Sequence, residues 1–117
     1  MGENLERGAL TEVVFYILLS MFQPMCGYAV TRNTAKLSGG RVTLGTGTLY
    51  GAINTLLEKG WIVCASEGAS SRNKKEYVAT ELGRAAVRAE IERLEELLRN
   101  AKAIEESSPQ WVEVWSF

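Results

Sequence analysis

The stretch Thr43-Leu44-Gly45-Thr46-Gly47-Thr48-Leu49-Tyr50-Gly51-Ala52-Ile53-Asn54-Thr55-Leu56-Leu57-Glu58-Lys59-Gly60 decides how the rest of the chain is read. Leu49, Ala52, Ile53, Leu56 and Leu57 recur at three- and four-residue spacing, which predicts a helix with one inward stripe. Thr46-Gly47-Thr48 offers a hydroxyl N-cap, and Gly60 closes the far end. Thr48, Tyr50, Asn54 and Thr55 are left facing outward or sideways.

Upstream, Leu10, Val13, Val14, Ile17, Leu18, Met21 and Phe22 keep the same periodicity and predict a helix from Leu10 to Gln23, stopped by Pro24. A second helix is expected from Gly27 to Leu37, closed at Ser38-Gly39-Gly40. Arg41-Val42-Thr43-Leu44 then reads as a brief extended piece. Downstream, Trp61 to Ser66 and Tyr77 to Thr80 read as strands. The basic, glycine-containing segment between them, Gly68 to Lys75, makes the pair a hairpin with a cationic tip.

Thr80 caps a long helix running from Glu81 to about Ile104, with Glu81 placed where the helix dipole favours an acid. Val87, Ile91, Leu94, Leu98 and Ala101 alternate four- and three-residue steps, a heptad-like seam. Such a helix is roughly 36 Å long. It is too long and too weakly apolar to be buried within its own domain, so its seam is expected to meet a second copy. Beyond Glu106, Ser107-Ser108-Pro109 breaks the helix, and Trp111, Val112, Val114 and Trp115 form an apolar tail.

Composition narrows the function classes. The 117 residues, 46% hydrophobic and 23% charged, suit one packed domain with an appended helix. Histidine and aspartate are both absent, which removes the usual parts of a catalytic triad, a zinc site or an EF-hand. No enzymatic activity, metal or cofactor is expected. Cys26 and Cys64 are too few and too far apart for a disulfide scaffold or a CxxC pair. The longest apolar run, Val13 to Phe22, falls short of the roughly 20 residues of a membrane span, so no membrane partner is expected. Met1 to Arg7 carries Glu3 and Glu6 without a following cleavage pattern, which argues against a secretory leader and makes the cytoplasm the expected compartment. Net charge is only -1, but residues 1–80 hold eight Lys and Arg against six Glu, whereas residues 81–117 hold five against eight.

The order helix, helix, short strand, helix, hairpin, long helix is that of a mainly α winged helix-turn-helix with a small β-hairpin and an added dimerisation helix. The expected division is 1–80 for DNA binding, 81–106 for dimerisation and 107–117 for the tail. In such a fold the third helix enters a major groove about 12 Å wide while the basic hairpin lies on the flanking backbone. Gly27-Tyr28, Leu37-Ser38-Gly39-Gly40-Arg41-Val42, the block Gly47-Thr48-Leu49-Tyr50-Gly51-Ala52, Leu56-Leu57-Glu58-Lys59-Gly60-Trp61-Ile62 and Lys75-Glu76-Tyr77-Val78-Ala79-Thr80-Glu81-Leu82-Gly83 closely resemble the PadR family of transcriptional regulators. That resemblance covers about residues 9–106. It implies a cytoplasmic, homodimeric repressor that binds double-stranded operator DNA and is often released by a small-molecule effector. Relatives with one short C-terminal helix include some that sandwich flat drugs on a tryptophan of that helix; residues 81–106 here contain no aromatic.

The DNA-contact candidates are Arg41, Thr46, Thr48, Tyr50, Asn54, Arg72, Lys74 and Lys75, and the dimer candidates are Val87, Ile91, Leu94, Leu98 and Ala101. Each has a plainer alternative. Thr46 and Thr48 suit a helix cap, Tyr50 half-buried packing, Arg41 the plain surface, and Arg72, Lys74 and Lys75 a solvated turn. Trp61 reads as core, and Trp111 and Trp115 as a ligand platform, a groove cover or a loose end. The competing function is a winged-helix protein-interaction module without DNA affinity.

Overall fold

The computed structural model describes residues 9–67 and 75–108. Helix α1 spans Glu12–Ser20. Its start is set by Thr11, whose Oγ1 accepts the Val14 N–H at 3.2 Å, so Leu10 lies buried ahead of the helix rather than in it. Its end comes before Pro24, and the next two carbonyls take tertiary partners. The Ala79 N–H donates to the Met21 carbonyl at 2.7 Å. Arg84 donates to that of Phe22 at 2.6 Å, with its guanidinium 4.5 Å from the Phe22 ring centre.

Strand β1 is the two-residue Met25–Cys26, followed at once by α2, Gly27–Leu37. The expected extended piece at Arg41 to Leu44 joins no sheet. Its chain is held as a loop instead: Ser38 Oγ accepts the Val42 N–H at 2.9 Å, and the Gly40 N–H reaches back to the Ala35 carbonyl at 2.7 Å. Gly39 and Gly40 carry the positive φ angles, 64° and 84°, that this turn requires.

Helix α3 covers Thr46–Lys59 and ends at Gly60 in the left-handed conformation, φ 74°. Its N-cap is Gly45, with no side-chain cap, so the expected hydroxyl cap at Thr46 to Thr48 is not formed. Leu49, Ile53 and Leu56 are buried as expected, but Leu57 is exposed. On a helix turning about 100° per residue, Leu57 stands roughly 80° round from Leu49, past the edge of the core. Truncating Ile53 to alanine would cost about 2–5 kcal/mol of stability.

Strands β2 (Ile62–Ser66) and β3 (Glu76–Ala79) pair antiparallel, with Ile62 opposite Ala79 and an irregularity between Cys64 and Ser66. β1 adds to the other edge of β3, Met25 opposite Tyr77, giving the order β1-β3-β2. Helix α4, Glu81–Ser107, is capped by Thr80 as expected. Thr80 Oγ1 accepts the Gly83 N–H at 3.1 Å and donates to the Gly60 carbonyl at 2.7 Å, tying the end of α3 to the start of α4. At 27 residues α4 is about 40 Å long, and it stretches the described chain to 65 × 27 × 22 Å. Its first turns lie on the core through Gly83 and Val87; from Ile91 onward every described residue except half-buried Arg93 is exposed. Among the described residues, no helix is long and apolar enough to cross a membrane.

Candidate nucleic-acid interface

Helix α3 positions four of the expected contact residues, and Thr46, Thr48, Tyr50 and Asn54 are all exposed. Because Gly45 caps the helix through backbone alone, the hydroxyls of Thr46 and Thr48 are not spent on capping. Thr46, Tyr50 and Asn54 follow four-residue steps and share a sector of about 80°, while Thr48 stands roughly 160° from Tyr50. Thr48 instead borders a groove of about 230 Å³ with Val14, Gly51 and Thr55. Between these two edges the outermost ridge carries Gly47 and Gly51, and a Cβ at either would meet nothing within 4 Å. The helix backbone is thus its most prominent surface there.

The tip of Tyr50 also reaches α2. Its ring lies over the start of α2 so closely that a Cβ on Gly27 would fall 2.6 Å from the Tyr50 hydroxyl oxygen. With a Leu49 methyl carbon 3.2 Å from the same position, that contact joins the first turns of α2 and α3.

The remaining cations separate. Arg41 forms a two-pronged ion pair with Glu12 on α1. The hydrogen bonds from Arg41 hold the Glu12 carboxyl below its usual pKa, and the same bonds raise that of Arg41. Lys75 is exposed, with Nζ 3.7 Å from a Glu67 carboxylate oxygen. Arg72 and Lys74 lie outside the described residues, as do Trp111 and Trp115. Trp61 packs half-buried against the core, with Lys59 Nζ 5.5 Å from its ring centre.

Three further residues, on α2, escape a residue-by-residue reading. Tyr28, Arg32 and Lys36 are exposed and follow one four-residue row. A signal for them exists in the sequence: residues 13–57 contain Arg32, Lys36 and Arg41 and no acid.

On α4 the expected seam divides. Val87 is 1% exposed and packs in the chain's own core, because the first turns of α4 rest on the domain. Ile91, Leu94, Leu98 and Ala101 face outward, joined by Leu97 and Ile104. Where this stripe begins, α1 and α4 enclose a groove of about 290 Å³ lined by Leu10, Phe15, Tyr16, Leu94 and the charged Glu12, Glu90 and Arg93. Glu90 is 2% exposed. Its carboxylate accepts two hydrogen bonds from Arg93, at 2.8 and 2.5 Å, and these bonds with the Leu10 backbone hold its pKa below the usual value. Among the described residues, no three His, Cys, Asp or Glu gather to hold a metal ion.

Comparison with known proteins gives this arrangement its relatives. The transcriptional regulator PadR-like family model matches residues 14–89. A PadR family transcriptional regulator from Eggerthella lenta aligns over 92% of this chain and 91% of its own, at 22% identity and TM-score 0.67. A PadR-like transcription factor from Bacteroides fragilis aligns over 88% and 97%, at 20% identity and TM-score 0.64. A transcriptional regulator from Clostridium thermocellum aligns over 91% and 99%, at 20% identity and TM-score 0.60. No curated protein matches the sequence. With a family match running from α1 into α4, and a winged-helix order of elements shared with those structures, the chain belongs to the PadR-like family of transcriptional regulators.

Proposed function

We propose that the chain is a homodimeric DNA-binding repressor, with residues 1–80 contacting the operator, residues 81–106 joining two copies, and a small molecule releasing the complex. The observation that carries this reading is the outward face of α3. Its ridge at Gly47 and Gly51 presents bare backbone, flanked by Tyr50 and Asn54 on one side and Thr48 on the other. That face suits close approach to a groove floor, with hydroxyls and an amide placed for phosphate oxygens and base edges. Lys75, with Arg72 and Lys74 of the same segment, supplies wing contacts to the backbone.

The exposed apolar stripe of α4 supports pairing of two chains, which sets two reading helices about 34 Å apart on one side of the duplex. The operator is then pseudo-palindromic. An effector in the groove between α1 and α4 would act by favouring one spacing over another, since a ligand shifts two states only through unequal affinity for them.

The test is binding of the purified chain to the DNA upstream of its own gene, by gel shift at stated salt, alongside its mass in solution. The expected result is a dimer that binds this duplex more tightly than a mixed-sequence one. A stable monomer, or a dimer indifferent to every duplex, would reject the proposal and favour the protein-interaction reading. Leu94→Glu with Leu98→Glu is expected to yield a monomer and lower operator affinity at least tenfold.

A further inference from the structure

The outer half of α4 carries more apolar surface than pairing along its seam covers. On a helix turning about 100° per residue, Val87, Ile91, Leu94, Leu98 and Ala101 fall within a sector of roughly 80°. Leu97 and Ile104 stand about 80° and 100° from the middle of that sector, and they are 51% and 67% exposed. With Glu90 they recur at seven-residue steps, in the column beside the seam where a two-stranded coiled coil usually carries charge. Two of the three are aliphatic here. At its inner end the column runs into the groove of about 290 Å³ between α1 and α4, where Phe15 and Tyr16 meet edge to face, 6.3 Å between ring centres. At its outer end the Ser107 and Ser108 hydroxyls both donate to the Ile104 carbonyl, at 3.1 and 2.8 Å, and Ser108 leaves the helix in extended backbone. Residues 109–117, which lie outside the described residues, follow with Trp111, Val112, Val114, Trp115 and Phe117 around the single charge of Glu113.

We propose that residues 109–117 fold back along the Glu90, Leu97 and Ile104 column of their own chain, with Trp111 between Ile104 and Leu97 and Trp115 at the mouth of the groove. Reach supports it. At ~3.3 Å per extended residue, Trp111 and Trp115 lie up to ~10 and ~23 Å from Ser108. At ~1.5 Å per helical residue, Ile104, Leu97 and Leu94 lie ~6, ~16 and ~21 Å back along α4 from the same point. The chemistry of the groove supports it too. An indole there meets the rings of Phe15 and Tyr16 and the Arg93 guanidinium, whose side chain is 40% exposed. Because the tail is tethered to the helix it covers, docking is intramolecular and needs no second chain. The seam itself stays open to a partner helix, so the inference stands apart from the dimer and DNA-binding readings. The effector assigned to this groove above then enters by displacing the tail.

The test labels the whole chain with 5-fluorotryptophan and assigns its fluorine resonances through Trp61→Phe, Trp111→Phe and Trp115→Phe. Trp111 and Trp115 are expected to resonate away from their positions in urea. Leu97→Asn with Ile104→Asn, two exposed positions outside the chain's own core, should bring both signals back toward those positions and leave that of Trp61 in place. Trp111→Ser with Trp115→Ser should lower the melting temperature by about 4 °C or more, and should cost little further when added to the Leu97 and Ile104 variant. Ile91→Glu with Leu98→Glu, on the far side of the seam, removes pairing, and in that monomer the two tail signals should stay shifted. Tail signals at the urea positions in the parent overturn the proposal and leave the column to a second copy. Shifted signals that ignore the Leu97 and Ile104 variant overturn it as well. Signals that return to the urea positions only in the seam variant would seat the partner's tail in the groove and overturn the same-chain placement.

Discussion

Gly51 stands mid-helix with open space where a side chain would be, so its presence costs α3 stability for no internal gain. Gly51→Ala is expected to stabilise the fold by about 0.5–1 kcal/mol, and at the same time to weaken DNA binding by lifting the helix off the groove floor. Thermal melting and anisotropy on one sample would read both, and tighter binding in the stabilised variant would contradict the close-approach account. Gly83 is the opposite case: its Cβ would fall on the Trp61 carbonyl oxygen. Gly83→Ala should destabilise by about 1–3 kcal/mol, seen as a lower melting temperature. At this scale the sequence was only partly legible. Tyr50 and Asn54 follow from the position of the inward stripe, whereas Arg41 looked free because its partner Glu12 lies 29 residues away. Thr46 and Thr48 have the chemistry of a cap, but the backbone turns into the helix one residue earlier, at Gly45.

Among the elements, those with a strong local signal were readable. Helix α2 has the bounds its pattern predicts, and the Thr80 cap starts α4 at Glu81. Strand β1 was not, since two residues have no periodicity and Met25–Cys26 is a strand only because β3 lies opposite. The α4 seam shows a related limit: spacing gives the face of a helix but not which body covers it, and Val87 is covered by its own chain. Glu90 joins α4 to the segment before α1 and is held ionised chiefly by Arg93. Because its pKa is lower folded than unfolded, its contribution is complete above the unfolded value and is lost as pH falls through the folded one. Acid unfolding followed by circular dichroism should therefore show a stability decline below the ordinary carboxylate range, and Glu90→Gln should remove part of that decline. A variant with an unaltered acid profile would mean that Glu90 is not among the groups responsible.

For the whole molecule, charge placement matters more than the net value. Residues 13–57 hold three cations and no acid, whereas the residues beyond 80 carry an acidic excess, so a chain of net charge -1 is uneven along its length. Raising salt from about 50 to 200 mM should weaken binding to any duplex by orders of magnitude, an expectation that a titration on mixed-sequence DNA would check. The outer half of α4 leads to a different quantity, the supply of protein. Ile91, Leu94 and Leu98 face water in a lone chain. On the dimer reading, each copy then gains stability from its partner by mass action. When synthesis slows, pairs are lost faster than chains, and the unpaired chains are the ones most open to proteolysis. On the same reading, halving the dose lowers the dimer by up to about fourfold, so operators short of saturation would empty more than in proportion.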